Sequence, residues 1–153
     1  MLGDDLCTVS WRAWPRSFVG LMTLYESNYI RLGWLVGNVR ALSGEYRSRV
    51  ADDCELKLTV LGHGPYTTTL ALTYSFGPAA ACPDAPDLEV RVYHDARVAE
   101  AHAVGRAAAR VSRRSPAAVA SERLGSRWSR NMMLNKWLEY CVDRGHRFGA
   151  AGV

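Results

Sequence analysis

The stretch Leu88-Glu89-Val90-Arg91-Val92-Tyr93-His94-Asp95-Ala96-Arg97-Val98-Ala99-Glu100-Ala101-His102-Ala103 decides the fold. As far as Tyr93 it alternates, with Leu88, Val90 and Val92 set against Glu89, Arg91 and Tyr93, the period-two signature of a half-buried strand. Beyond His94-Asp95 two readings compete. The alanines between Ala96 and Arg110 favour a helix, whereas Val98, Glu100, His102 and Val104 alternate with Ala99, Ala101 and Ala103 as a strand would. Gly105 would interrupt a helix, so the stretch reads as a strand over 97–103 that pairs back on 88–93. The result is an antiparallel hairpin closed by a Tyr93-His94-Asp95 turn.

Upstream, the same period recurs. Leu56, Leu58 and Val60 alternate with Glu55, Lys57 and Thr59 in residues 55–61, and Leu70, Leu72, Tyr74 and Phe76 with Thr67, Thr69, Ala71 and Thr73 in 66–76. Gly62-His63-Gly64-Pro65 is the tight connection between these strands, too short by itself to cradle a phosphate. Tyr46, Ser48 and Val50 allow a shorter strand ahead of Asp52-Asp53. Gly77 to Asp87, with three prolines and no periodicity, reads as a loop.

The flanks are helical. After Ser17, residues Phe18, Leu21, Met22, Tyr25, Tyr29, Leu32, Val36 and Val39 recur at spacings of three and four, an amphipathic helix that Gly33 and Gly37 weaken and that ends before Gly44. Residues 106–127 read as a basic connector with at most a short helix. From Trp128 the helical spacing returns through Met132, Leu134, Trp137, Leu138 and Cys141, with a stop at Arg144-Gly145. The expected fold class is α+β: an antiparallel meander of four to five strands with an N-terminal and a C-terminal helix packed on one face. Residues 17–145 form the single expected domain, with 1–16 an N-terminal extension and 146–153 a tail.

Composition agrees. A chain of 153 residues, 48% hydrophobic, is the right size for one two-layer core. Glu26, Asn28 and Arg31 interrupt the best apolar run, residues 18–39, so no membrane span is expected. Asp4 and Asp5 near the start do not fit a secretory signal, and a cytoplasmic location is the expectation. Cys7, Cys54, Cys82 and Cys141 are widely spaced, without a Cys-x-x-Cys pair, and read as reduced thiols; no metal site and no cofactor are expected.

Three strings are distinctive together: Leu21-Met22-x-Leu24-Tyr25-Glu26-x-Asn28-Tyr29-x-x-Leu32, Val90-Arg91-Val92-Tyr93-His94-Asp95-Ala96-x-x-Ala99-Glu100, and Trp137-Leu138-x-Tyr140-Cys141. Over about residues 15 to 145 the chain resembles an uncharacterised family of small proteobacterial proteins, the YqiB-like domain-of-unknown-function family 1249. The resemblance implies the architecture above, and a strand rather than a helix after Asp95, but no activity. Members of that family carry an acidic Asp-Glu-Lys string shortly before the last helix, where this chain has Gly125-Ser126-Arg127.

The candidate ligand-binding residues are Arg91, Tyr93, His94, Asp95 and Glu100, at the turn and on a polar sheet face shared with Glu55, Lys57, Thr59, Thr67, Thr69, Thr73 and Glu89. An imidazole beside a carboxylate can bind metal or move protons, with Glu26, Glu100 and His102 as further candidates. The plainer reading is that Asp95 caps the turn and His94 closes the core edge. Likewise Glu26 is expected in solvent and Asn28 bonded to a backbone group. No catalytic residue is assigned, because Gly-x-Ser-x-Gly, Walker, His-Glu-x-x-His and dinucleotide signatures are all missing. The function expected is a cytoplasmic module that binds a small molecule or a protein partner. The alternatives are a metal-dependent or acid/base enzyme built on His94, Asp95 and Glu100 or His102, and nucleic-acid binding by 106–130, where seven arginines face one acid, Glu122.

Overall fold

The computed structural model describes residues 17–75, 88–102 and 116–148, with side chains over 17–74, 88–102 and 124–148. The first helix, α1, spans Phe18–Val36; the Ser17 hydroxyl caps it by accepting the Gly20 N–H at 2.9 Å. Gly37, at φ 74°, ends it with a bond to the Gly33 carbonyl, a backbone conformation that favours glycine. Leu21, Leu24, Tyr25, Asn28, Leu32 and Leu35 form the buried face. Phe18 and Met22, expected within that face, are exposed at 69% and 37%. The apolar spacing alone rotated the expected stripe, because it discounted Asn28, which is fully buried.

After a 3-10 turn at Val39–Ala41 come five strands: β1 (Glu45–Ser48), β2 (Glu55–His63), β3 (Thr67–Ser75), β4 (Leu88–Tyr93) and β5 (Val98–His102). They form one antiparallel sheet in the order β1-β2-β3-β4-β5. The hairpin after Asp95 is therefore extended, with Tyr93 opposite Val98 and Val90 opposite Ala101. Leu56, Leu58, Leu70, Leu72, Leu88, Val90, Val92, Ala99 and Ala101 all point into the core against the helices. The opposite face carries Glu55, Lys57, Thr59, Thr69 and Arg91, all half-buried.

The last helix, α2, spans Pro116–Asp143, three turns longer upstream than the sequence reading allowed. Part of the expected connector is therefore helical, while 106–115 lies outside the described residues. Proline suits a first helical position, and alanine and arginine are good helix formers even where no apolar stripe marks them. Gly125-Ser126-Arg127 consequently sits inside the helix, not ahead of it. The helix ends in a Schellman motif: Gly145, at φ 95°, donates to the Val142 carbonyl and His146 to that of Cys141, both at 3.0 Å.

The packed unit continues past the expected boundary at 145. His146 and Phe148 are 0% and 3% exposed, and the Phe148 N–H reaches the Leu35 carbonyl at 2.8 Å.

The two helices run parallel, since Leu21 clusters with Trp128, Asn28 bonds Asn131 and Asn135, and Arg31 faces Glu139. Their seam is polar. The Asn131 Oδ1 accepts from the Asn28 amide at 3.2 Å and from the Ala101 N–H at 2.8 Å, while its own amide donates to the Arg127 carbonyl. The Asn28 amide also reaches the Ala99 carbonyl, the backbone bond the sequence reading expected of it. Backbone groups on the outer edge of β5 thus end on helix side chains, as buried polar groups must.

Candidate functional site

The β4–β5 connection, residues 94–97, lies beside the C-terminal half of α1. Its last residue, Arg97, adopts φ 54°, the left-handed conformation usually left to glycine or asparagine. The His94 N–H bonds the Tyr66 carbonyl at 2.9 Å and fixes the turn against the β2–β3 hairpin.

Between this turn, α1 and the 3-10 turn runs a groove of about 420 Å³. Ile30, Gly33 and Trp34 of α1 form one wall, and Asn38, Arg40, His94 and Arg97 supply its polar groups. A Cβ built on Gly33 would meet nothing within 4 Å. This mid-helix glycine therefore has no close neighbour to accommodate, yet it costs helix stability. Arg40 is only loosely held, its Nη2 3.9 Å from Asp95 Oδ1, with both side chains more than half exposed. Arg97 makes no ion pair among the described residues.

His94 belongs to a hydrogen-bonded chain leading inward from the groove. Its Nε2 is 2.8 Å from the Thr68 hydroxyl, which is fully buried; Thr68 is 2.9 Å from His63 Nδ1; and His63 Nε2 is 2.7 Å from the Leu42 carbonyl. The carbonyl can only accept, so His63 Nε2 carries a proton. With His63 neutral, Nδ1 accepts from Thr68, whose single hydrogen is then used, and Thr68 must accept from His94 Nε2–H. That leaves His94 Nδ1 as an acceptor with no partner among the described residues. Burial, then Arg40 and His63, hold the His94 imidazole below the ordinary histidine range, against a smaller opposing pull from Asp95.

The expected site residues divide between two places. His94 and Asp95 sit at the groove, but Arg91, Tyr93 and Glu100 lie on the opposite sheet face, where Arg91 pairs with Glu100 and Thr69. Neighbouring strand residues point to opposite faces, so Tyr93 and His94 diverge as the chain leaves β4.

Glu100 is engaged elsewhere. The Tyr25 hydroxyl, reaching round the β5 edge, donates to Glu100 Oε1 at 3.2 Å, and His102 Nε2 lies 3.3 Å from Oε2 but out of line for a hydrogen bond. Burial pushes the Glu100 carboxyl up, but His102, Tyr25 and Arg127 outweigh it and hold the group below the usual carboxylate range. Burial and Glu100 push the Tyr25 hydroxyl well above its ordinary value.

His102 is four residues from the turn end of β5, roughly 13 Å of strand. A metal or acid/base set of His94, Asp95 and Glu100 or His102 is therefore not brought together. Among the described residues no cluster of three His, Cys, Asp or Glu side chains is placed to hold a metal ion. Glu26 faces solvent, as expected.

A second polar cluster escaped the sequence reading. His146 Nδ1 is 3.0 Å from the Ser48 hydroxyl, and Nε2 is 2.9 Å from Asp53 Oδ2. Tyr74 OH lies 3.4 Å from the same carboxylate and 3.2 Å from Cys141 Sγ. Burial raises the Asp53 carboxyl, but the Cys54 N–H, His146 and Arg144 more than compensate and leave it below its ordinary value. Burial pushes the Cys141 thiol up to about 11. The residue types are those of a hydrolytic triad, but Ser48 is 7% exposed and also accepts the Arg147 N–H, leaving no approach for a substrate carbonyl. The cluster is a clasp holding residues 146–148 to β1 and β2.

Sequence signals for the groove were faint. Arg97, expected as the first residue of a strand, is marked only by its backbone conformation in the folded chain. Arg40, His63 and Thr68 become neighbours of His94 only once strand pairing is known.

Fold and groove together define a small α+β domain with a cationic groove at the end of its first helix. The chain belongs to the family described as protein of unknown function (DUF1249), whose profile matches residues 31–147. No curated protein and no solved structure shows significant similarity to it. The matched range contains Asn38, Arg40, His94 and Arg97 of the groove.

Proposed function

We propose that this protein is a binding module whose groove takes a small molecule with an anionic head and an apolar body. The observation that carries this reading is Arg97, held at φ 54° beside the groove with no ion pair among the described residues. A non-glycine residue in that conformation costs on the order of 1 kcal/mol and persists only where the surrounding structure holds it, as such residues often do at ligand sites. Arg40 and Asn38 add donors for the same anionic group, and Ile30 and Trp34 offer an apolar surface beyond it.

Two substitutions separate binding from folding. Arg97→Gly relieves the backbone and is expected to raise stability by about 0.5–1 kcal/mol while removing most affinity for anions. Gly33→Ala is expected to stabilise α1 by about 1 kcal/mol, because its methyl meets open space and the helix gains propensity. Gly33→Leu should keep the fold and fill the groove. A thermal-shift panel of carboxylates and phosphates, run on the wild type, Arg97→Gly and Gly33→Leu, tests the reading. Stabilisation confined to the wild type supports it, and equal shifts in all three proteins would sink it.

A further inference from the structure

Building on that binding role, we propose that the groove selects an α-hydroxy carboxylate, whose hydroxyl donates to His94 Nδ1 while its carboxylate is held by Arg40, Arg97 and Asn38. The polar side chains of the groove differ in kind. The guanidinium groups of Arg40 and Arg97 can only donate. Asn38 commits its amide oxygen to the Arg40 N–H at 3.2 Å, which leaves its NH2 group to meet a ligand. The Tyr29 hydroxyl can act either way. His94 Nδ1, with Nε2–H given to Thr68, can only accept. It is not shut off from solvent, so its lone pair opens at the groove.

A carboxylate alone would satisfy the donors and leave that lone pair facing an anion, whereas a hydroxyl beside the carboxylate answers both. Donors and acceptor also stand close together. His94 and Arg97 bound one four-residue turn, and Arg40 comes to 3.9 Å from Asp95 within it. An acceptor so near the donors calls for a hydroxyl on the carbon next to the carboxylate. An ammonium on that carbon would stand beside two guanidinium groups, with the Asp95 carboxylate already facing Arg40. Burial, Arg40 and His63 keep the His94 imidazole below its ordinary range, which preserves the lone pair around neutrality. The bond to Thr68 holds the ring by Nε2 and so fixes which nitrogen the ligand meets. Ile30 and Trp34 offer an apolar wall to the rest of the ligand, and an aryl group suits it.

Phenyllactate is the probe, set against hydrocinnamate, which lacks the hydroxyl, the O-methyl ether of phenyllactate, which keeps the oxygen but cannot donate, and phenylalanine, which carries an ammonium instead. Calorimetric titration at about pH 8, where an imidazole is ordinarily neutral, should find phenyllactate bound about tenfold more tightly than each of the others, the worth of one hydrogen bond. His94→Phe keeps a ring against Thr68 and removes the acceptor. It should bring phenyllactate down to the affinity of hydrocinnamate and leave hydrocinnamate itself unchanged. Nitrogen-15 NMR of the ligand-free wild type, which needs no variant to fold, should find His94 protonated at Nε2 with Nδ1 bare. Three results overturn the α-hydroxy assignment while leaving the groove a carboxylate site: any of the other three compounds binding as tightly as phenyllactate, a His94→Phe protein that keeps the tenfold preference, or a ligand-free His94 protonated at Nδ1. Absence of binding by all four compounds, or equal binding to the wild type and Gly33→Leu, instead overturns the binding role on which the assignment rests.

Discussion

Asp53→Ala should lower the unfolding free energy by about 3 kcal/mol, because it leaves His146 Nε2–H and the Cys54 N–H without their acceptor in a buried clasp. For a chain of this length that corresponds to a fall of roughly 6–12 °C in melting temperature. Urea unfolding followed by tryptophan fluorescence would measure it, with a lower midpoint and little change in slope. The effect also has a pH signature. The folded Asp53 carboxyl lies below its ordinary value, so its contribution is fully present above the unfolded pKa of about 3.9 and disappears as pH falls through the folded value. The gap between wild type and variant should therefore be constant near neutrality and close in acid. A loss smaller than about 1 kcal/mol at pH 7 would mean that the clasp is ornamental and that Phe148 holds the segment by packing alone.

Asn131→Ala should be as damaging, also about 3 kcal/mol, for a different reason. The amide of Asn131 serves three partners, the Ala101 N–H, the Asn28 side chain and the Arg127 carbonyl, in a site with no solvent exposure. Removing it orphans two buried donors at about 1–3 kcal/mol each, offset by roughly half a kcal/mol of helix propensity gained by alanine. Hydrogen exchange provides the specific readout, since the Ala101 amide should lose protection more than Val90 or Val92 on the paired strand. Uniform loss of protection across the sheet would show instead that the seam stabilises the fold without singling out β5.

The contrast between these two sites and the meander explains what the sequence disclosed. Alternation from Leu56 to Val60 and from Leu88 to Tyr93 is a local consequence of one buried face, so strand identity and hairpin direction could be read directly. The helix at 116–127 could not, because its arginines and alanines favour a helix without marking a face. Asn28 misled in the opposite sense: a polar residue in an apolar stripe shifted the stripe toward Phe18 and Met22, when its burial depends on Asn131 and Asn135 more than a hundred residues away.

The candidate site was half legible for the same kind of reason. The Tyr93-His94-Asp95 string stood out, and His94 does line the groove. Strand parity, however, sends Arg91, Tyr93 and Glu100 to the far face, while Arg40, His63 and Thr68 arrive from separate elements. Arg97, read as the first residue of a strand, became recognisable only through its backbone conformation in the folded chain.

The asparagine seam along β5 has an outcome for assembly. Because helix side chains occupy that margin, a strand from another polypeptide has no free ladder to extend there, and among the described residues β1 is the remaining open margin. That margin is four residues long and studded with Glu45 and Arg47, which are bound into ion pairs with Lys57 and Glu55. A short, charged border of this kind disfavours strand-to-strand fusion between molecules. The sheet is in effect a ribbon sealed at one end and guarded at the other.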